Sequence, residues 1–127
     1  MIRVTQQRDT IRQVMSKVGR PLSTQEILAL ARQEVPGLGI ATVYRTVKSL
    51  EEEGRIVAVD VPGQPSRWEL TPESHHHHFL CNTCDTLYEV HACPENLQYM
   101  LPDGFTLEEH DILLRGQCTA CAKKTRS

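Results

Sequence analysis

Two cysteine pairs, Cys81-Asn-Thr-Cys84 and Cys118-Thr-Ala-Cys121, constrain this chain more than any other feature. A Cys-x-x-Cys turn lets two sulfurs reach one ion from a tight loop. Two such turns together make a tetrahedral four-thiolate site, the arrangement zinc prefers. The intervening residues 85–117 are long enough for a strand, a helix and a second strand to return the turns to one another. A closed four-thiolate site has no open position, so its expected role is structural. The alternatives are disulfides or two unrelated reduced pairs. Arg3, Arg8 and Asp9 interrupt any apolar stretch near the start, so no export signal is expected, the expected location is the cytoplasm, and zinc outweighs disulfides. No run of 18 or more apolar residues occurs, so no membrane partner is expected. The fifth cysteine, Cys93, stands alone; a core residue at a helix start is the expected reading, with a soft ligand or a redox thiol as the alternatives.

The 127 residues carry a formal charge of -2, which hides a marked asymmetry. Residues 1–50 hold eight Lys/Arg against three Asp/Glu, whereas residues 61–117 hold two against nine. A basic first half suits a polyanion, and an acidic, histidine-bearing second half suits cations. Apolar spacing predicts a first helix over 5–17, capped by Thr5 and ended by Gly19 and Pro21. Ser23 and Glu26 form a capping box ahead of a second helix reaching about Glu34. A third helix runs from Ile40 to a stop at Gly54, capped by Gly39 or Thr42. Strands at Arg55–Val61 and Ser66–Leu70 flank the turn Pro62-Gly63-Gln64-Pro65. Three helices and a β-hairpin make a winged helix-turn-helix over 1–71, with a hinge at 72–74 and a second domain over 75–127. In that second domain, strands are expected at Phe79-Leu80, Leu87–Val90 and Phe105–Arg115, and a short helix at Pro94–Leu101. The fold class is α+β.

Four consecutive histidines, His75, His76, His77 and His78, precede the first cysteine pair. In a strand, alternate residues face opposite sides. His76 and His78 would then serve one metal site and His75 and His77 another, with Glu69, Glu89 and His110 as further partners. The third helix carries Thr42, Tyr44, Arg45 and Lys48 on its outer face. A recognition helix in a major groove would use Thr42 and Lys48 on phosphates, Tyr44 on thymine methyls or base faces, and Arg45 on guanine edges or phosphate. Arg3 would act as a minor-groove arm, and Arg8 would hold the backbone.

Taken in order, Val4-Thr5-Gln6-Gln7-Arg8, Gly39 to Val47 (GIATVYRTV), Trp68-Glu69-Leu70, His75 to Cys84 and Cys118 to Cys121 resemble the ferric uptake regulator family over nearly the whole chain. The resemblance implies a dimeric, metal-responsive repressor with a winged-helix DNA-binding domain and an α/β zinc-containing dimerisation domain, binding AT-rich inverted repeats in double-stranded DNA. It implies structural Zn2+ at Cys81, Cys84, Cys118 and Cys121. It implies a regulatory divalent ion (Fe2+, Zn2+ or Mn2+) at Glu69, His76, His78 and Glu89, and a third site at His75, His77 and His110. Tyr44 corresponds to a base-contacting tyrosine and Arg8 to a phosphate-contacting arginine. The family's further regulatory histidine, just before the second helix, is replaced here by Arg20-Pro21-Leu22. Four ligands rather than five lean toward tetrahedral zinc, and glutamates at 69 and 89 weigh against a peroxide-responsive member. No enzyme is expected, because no HExxH-like motif is present and few aromatics are available to wall a substrate cleft. A zinc-stabilised interaction module without sensing is the remaining alternative.

Overall fold

The computed structural model describes residues 4–125. The chain divides into two compact units, Met1–Glu73 and Ser74–Ser127, and its class is α+β.

The first unit is a winged helix-turn-helix. Helix α1 spans Val4–Val18, one residue earlier than its apolar spacing suggests, so Thr5 lies within its first turn rather than at the cap. Helix α2 spans Thr24–Ala31, and its capping box is formed in full: Ser23 Oγ accepts from the Glu26 N–H at 3.1 Å while Glu26 Oε1 accepts from the Ser23 N–H at 3.0 Å. α2 ends before Glu34 because Arg32 to Val35 tighten into turns. Helix α3 spans Ile40–Glu52 with Gly39 at its N-cap and no side-chain cap. Gly54 ends it at φ +75°, a conformation only glycine adopts without strain, and the Arg55 N–H returns to the Leu50 carbonyl. The wing is an antiparallel pair, β1 (Ile56–Val59) and β2 (Arg67–Leu70), with Val57 opposite Glu69. Leu22 adds one bridge to its edge by exchanging both backbone hydrogen bonds with Trp68. Ile11, Met15, Leu22, Ile27, Leu38, Val43, Val47, Leu50 and Ile56 fill a continuous core, with Trp68 packed against it.

The second unit is a three-stranded sheet in the order β4-β3-β5. β3 (His77–Cys81) pairs antiparallel with β4 (Leu87–Val90) and parallel with β5 (Leu113–Gly116). β3 therefore starts inside the histidine run, two residues earlier than Phe79. Two expectations are corrected. The helix read at Pro94–Leu101 is a single 3₁₀ turn, Leu97–Met100, because Asn96 sits at φ +63° and the turn buries no residue that would hold a longer helix. The strand read over Phe105–Arg115 is confined to Leu113–Gly116, because Gln98 takes up the backbone of 105–107 itself. Its amide donates to the Phe105 carbonyl at 2.6 Å and accepts from the Leu107 N–H at 2.8 Å. A last helix, α4 (Thr119–Thr125), carries the second cysteine turn onward. Buried hydrophobic residues among those described in this unit are Leu80, Cys81, Leu87 and Cys121. That is a small core for a unit of this length, and small units of this kind depend on staples.

Candidate metal centres and nucleic-acid interface

The parallel pairing of β3 with β5 places Cys81 opposite Gly116, which brings the two cysteine turns side by side. A side chain at position 116 would press within 3.3 Å of the Phe79 ring, so the small residue permits that register. The four ligand sulfurs of Cys81, Cys84, Cys118 and Cys121 lie within 4.8 Å of one another. Cys84 Sγ and Cys118 Sγ are 3.9 Å apart, close to the ~3.8 Å edge of a tetrahedron with ~2.3 Å zinc–sulfur bonds. The N–H groups of Cys84 and Cys118 point at Cys81 Sγ at 3.5 and 3.4 Å. These N–H groups pull the Cys81 thiol down to about 6, while burial pushes Cys121 up to about 12. Backbone donation from Cys121 likewise lowers Cys118. An incoming cation therefore meets a ready thiolate at Cys81 and displaces the remaining protons. The donor set and its spacing fit zinc.

The alternation expected of the histidine run is present. His75 and His77 turn to one side and meet His110, which reaches them from the irregular segment before β5. His75 Nε2 lies 3.0 Å from His77 Nε2 and 3.2 Å from His110 Nε2. A fourth group joins them. Cys93 Sγ lies 3.2 Å from His77 Nε2 and 3.1 Å from His110 Nε2. Cys93 is exposed rather than part of the core, which corrects the sequence expectation: the polypeptide around it never forms the helix whose inner face would have buried it. The Ile112 N–H donates to Nδ1 of His77 at 3.2 Å. That bond orients the ring and places the proton of the neutral imidazole on Nε2; an ion held at Nε2 requires the other tautomer, with the proton on Nδ1, so this hydrogen bond would be given up on binding. Burial, with the neighbouring His75 and His110, holds His77 below its ordinary value of 6.5.

His76 and His78 face the other side, with ring centroids 4.9 Å apart. Glu89 is the cross-strand partner of His78. Its carboxylate also lies 3.5 Å from Nε2 of His91, whose ring approaches that of His76 to 5.7 Å. His91 is a neighbour of this pair that the sequence did not assign; its place two residues beyond Glu89 in an extended segment was the available signal. Glu69 is a buried residue on β2 of the first unit.

On α3, Val43, Val47 and Leu50 are buried, while Ala41, Tyr44, Arg45 and Lys48 are exposed at i, i+3, i+4 and i+7. Tyr44 keeps 55 % of its surface open. Thr42 is half-buried at the start of the helix and accepts from the Arg45 guanidinium at 3.2 Å. Arg8 is turned inward: its guanidinium donates to Ser49 Oγ at 3.0 Å and pairs with Glu53 at the end of α3. It fastens α1 to α3 as well as carrying charge. Arg3 lies outside the described residues. No helix among the described residues is long and apolar enough to cross a membrane.

A model of the ferric uptake regulator family matches residues 1–115. The ferric uptake regulation protein of Bordetella parapertussis is 32% identical over 107 residues, covering 82% of this chain and 77% of that protein. A zinc-bound manganese uptake regulator superposes with a TM-score of 0.81 at 31% identity, covering 92% of this chain and 91% of that one. The Helicobacter pylori ferric uptake regulator Fur, whose structure reveals three functional metal binding sites, superposes with a TM-score of 0.72 at 30% identity, covering 91% and 79% of the two chains.

Proposed function

Because the chain belongs to the ferric uptake regulator family of metal-responsive regulators, we propose that it is a metal-dependent transcriptional repressor that binds an AT-rich inverted repeat as a homodimer. The observation that carries this reading is the exposed face of α3, where Tyr44, Arg45 and Lys48 stand on one side of a helix whose other side is locked in the core. That face enters a major groove, with Tyr44 and Arg45 toward base edges and Lys48 and Thr42 toward phosphates. Arg3 extends the contact as a minor-groove arm, and Arg8 supports it from α1. The cytoplasm is the corresponding location.

Cys81, Cys84, Cys118 and Cys121 hold structural Zn2+ that closes the second unit, which is also the dimerisation domain. Glu69, His76, His78 and Glu89 hold the regulatory divalent ion. Relatives that regulate iron or manganese uptake support that class of signal. The loop before α2 offers Arg20, already paired with Glu26, and Leu22, already bridged to Trp68, so it adds no imidazole to the set. Two imidazoles and two carboxylates suit Fe2+, Mn2+ and Zn2+ alike, and the count of four ligands rather than five leans toward tetrahedral zinc. Glu69 sits on the wing and the other three residues in the second unit. Sharing one ion among them makes the relation of wing to sheet depend on metal, and so shifts the population toward the spacing at which both α3 helices of a dimer reach successive grooves.

The test is operator binding, read as fluorescence anisotropy of an AT-rich inverted-repeat duplex, on protein carrying its structural zinc and titrated with Fe2+, Mn2+ and Zn2+. Metal-dependent tightening that disappears in the Glu69→Ala, His76→Ala double variant is expected. Affinity indifferent to all three ions would leave a zinc-stabilised interaction module instead.

A further inference from the structure

The residues of this chain that match a third site of its family, His75, His77 and His110, supply three imidazoles and no sulfur. We propose that Cys93 is the fourth ligand of that site, and that His75, His77, His110 and Cys93 together form a closed centre of three imidazole nitrogens and one thiolate sulfur for a tetrahedral, thiophilic divalent ion of the zinc class.

Four ligand atoms meet here, contributed by the head of β3, the segment after β4 and the segment before β5. They form a ring of near-contacts: His75 to His77 at 3.0 Å, His77 to Cys93 at 3.2 Å, Cys93 to His110 at 3.1 Å, and His110 back to His75 at 3.2 Å. In a tetrahedron with zinc–nitrogen bonds of ~2.05 Å and a zinc–sulfur bond of ~2.3 Å, the edges are ~3.3 to ~3.6 Å. Four of the six edges are therefore within about half an ångström of those of a zinc cage before any ion is placed, and the other two are no longer than 4.8 Å. The chain makes this approach in spite of local structure. Residues 91–96 and 105–112 form neither helix nor strand, yet both segments deliver a ligand to the same point. Cys93 is exposed, so burial does not account for its position.

The donor set also decides the kind of ion. Carboxylate-rich sites suit six-coordinate manganese and iron, whereas a thiolate among imidazoles favours zinc and other soft or borderline ions at four-coordinate geometry. With all four positions taken by protein, the centre has no open position, as in structural rather than catalytic zinc. The second unit, with its small apolar core, thus gains a second clamp at the end of the sheet opposite the cysteine turns.

Cobalt(II) tests this directly, because only a thiolate ligand gives an intense sulfur-to-cobalt charge-transfer band in the near ultraviolet. Full-length protein that retains zinc in the four-cysteine cluster is titrated with Co2+, and zinc content is followed by mass spectrometry throughout. Wild type is expected to develop the charge-transfer band together with the strong visible bands of tetrahedral cobalt. Cys93→Ser is expected to lose the charge-transfer band and to bind cobalt at this site at least about tenfold more weakly, since loss of a direct ligand costs no less than loss of an outer-shell partner. Native mass spectrometry should find one tightly held zinc fewer in Cys93→Ser with the four-cysteine zinc intact. Because Cys93 is exposed, the variant is expected to keep the wild-type Trp68 fluorescence and far-ultraviolet spectrum. As a second readout, Zn2+ should protect Cys93 from iodoacetamide in the wild type. An identical near-ultraviolet spectrum in the two proteins, or Cys93 alkylated equally fast with and without Zn2+, would overturn the proposal. The hinge set contributes no sulfur, so failure of the sensing reading shows in operator binding and leaves the charge-transfer result unaffected.

Discussion

Replacing Cys81 by serine removes one sulfur from the four-thiolate cluster while nearly preserving side-chain size, and its effect should separate the two units. Among its described residues the second unit buries two aliphatic side chains completely, Leu80 and Leu87. Burial of each is worth about 1.5–3 kcal/mol, so together they supply about 3–6 kcal/mol, and that is an upper estimate. Structural zinc in small domains contributes about 10–16 kcal/mol on apparent scales at neutral pH. Zinc at the four cysteines, as proposed, would therefore outweigh these two side chains, and the sheet is expected to lose cooperative structure when the cluster cannot close. The first unit has its own core of Ile11, Leu22, Ile27, Leu38, Val43, Val47, Leu50 and Ile56. Trp68 is the chain's single tryptophan and packs against that core, so its fluorescence reports the first unit. In Cys81→Ser, the Trp68 melting transition should persist, while the far-ultraviolet signal of the sheet is lost or melts separately at lower temperature. Limited proteolysis should leave a fragment of residues 1–73 and digest the remainder. A zinc-free variant whose sheet still melts natively, together with Trp68, would refute the assignment of the cluster as the principal clamp.

Three further outcomes are expected. Tyr44→Ala should weaken operator binding by about 1–3 kcal/mol, roughly 5- to 150-fold, without moving the Trp68 melting temperature, because the side chain is 55 % exposed; Lys48→Ala should lower affinity on all sequences and reduce the salt slope by about one unit. Burial holds His77 below 6.5, so the native state binds its proton less readily than the unfolded chain; the resulting stability is complete above 6.5 and declines as pH falls through 6.5 toward the lowered native value. Circular-dichroism melts of protein carrying no ion at His75, His77, His110 and Cys93 should show this decline across that range, and His77→Gln should flatten it. Gly54→Ala should destabilise the first unit by about 1–2 kcal/mol, seen as a lower Trp68 midpoint, because the added Cβ meets no neighbour within 4 Å and the whole cost is the positive φ.

What the sequence determined by itself is local chemistry. Ser23 and Glu26 cap the second helix because a three-residue spacing returns each side chain to the other's backbone, and nothing distant is needed. The inner and outer faces of α3 follow from a 3.6-residue period, so Val43, Val47 and Leu50 could be separated from Tyr44, Arg45 and Lys48 before any fold was known. The histidine run divided into two faces for the same reason, with a period of two. The cysteine pairs pointed to a four-sulfur cluster through their spacing, taken with the compartment expected of the chain.

Tertiary structure decided what depends on where irregular chain goes. Residues 91–112 carry weak periodicity, and their course is set by a 3₁₀ turn, by the Gln98 bonds to 105 and 107, and by parallel pairing of β5 with β3. Read from sequence, that stretch suggested a helix and a long strand, with Cys93 as a core residue at the helix start. The fold instead brings Cys93 and His110 within 3.1 Å of each other across 17 positions of chain. Arg8 is the same case on the first unit: its charge was legible, but its partners, Ser49 and Glu53, lie more than forty positions away. Capping and periodicity are interactions between near neighbours and are written into short spacings. A ligand drawn from a loop, or an arginine fastened to a distant helix end, exists only once the core and the sheet have fixed both ends of the path.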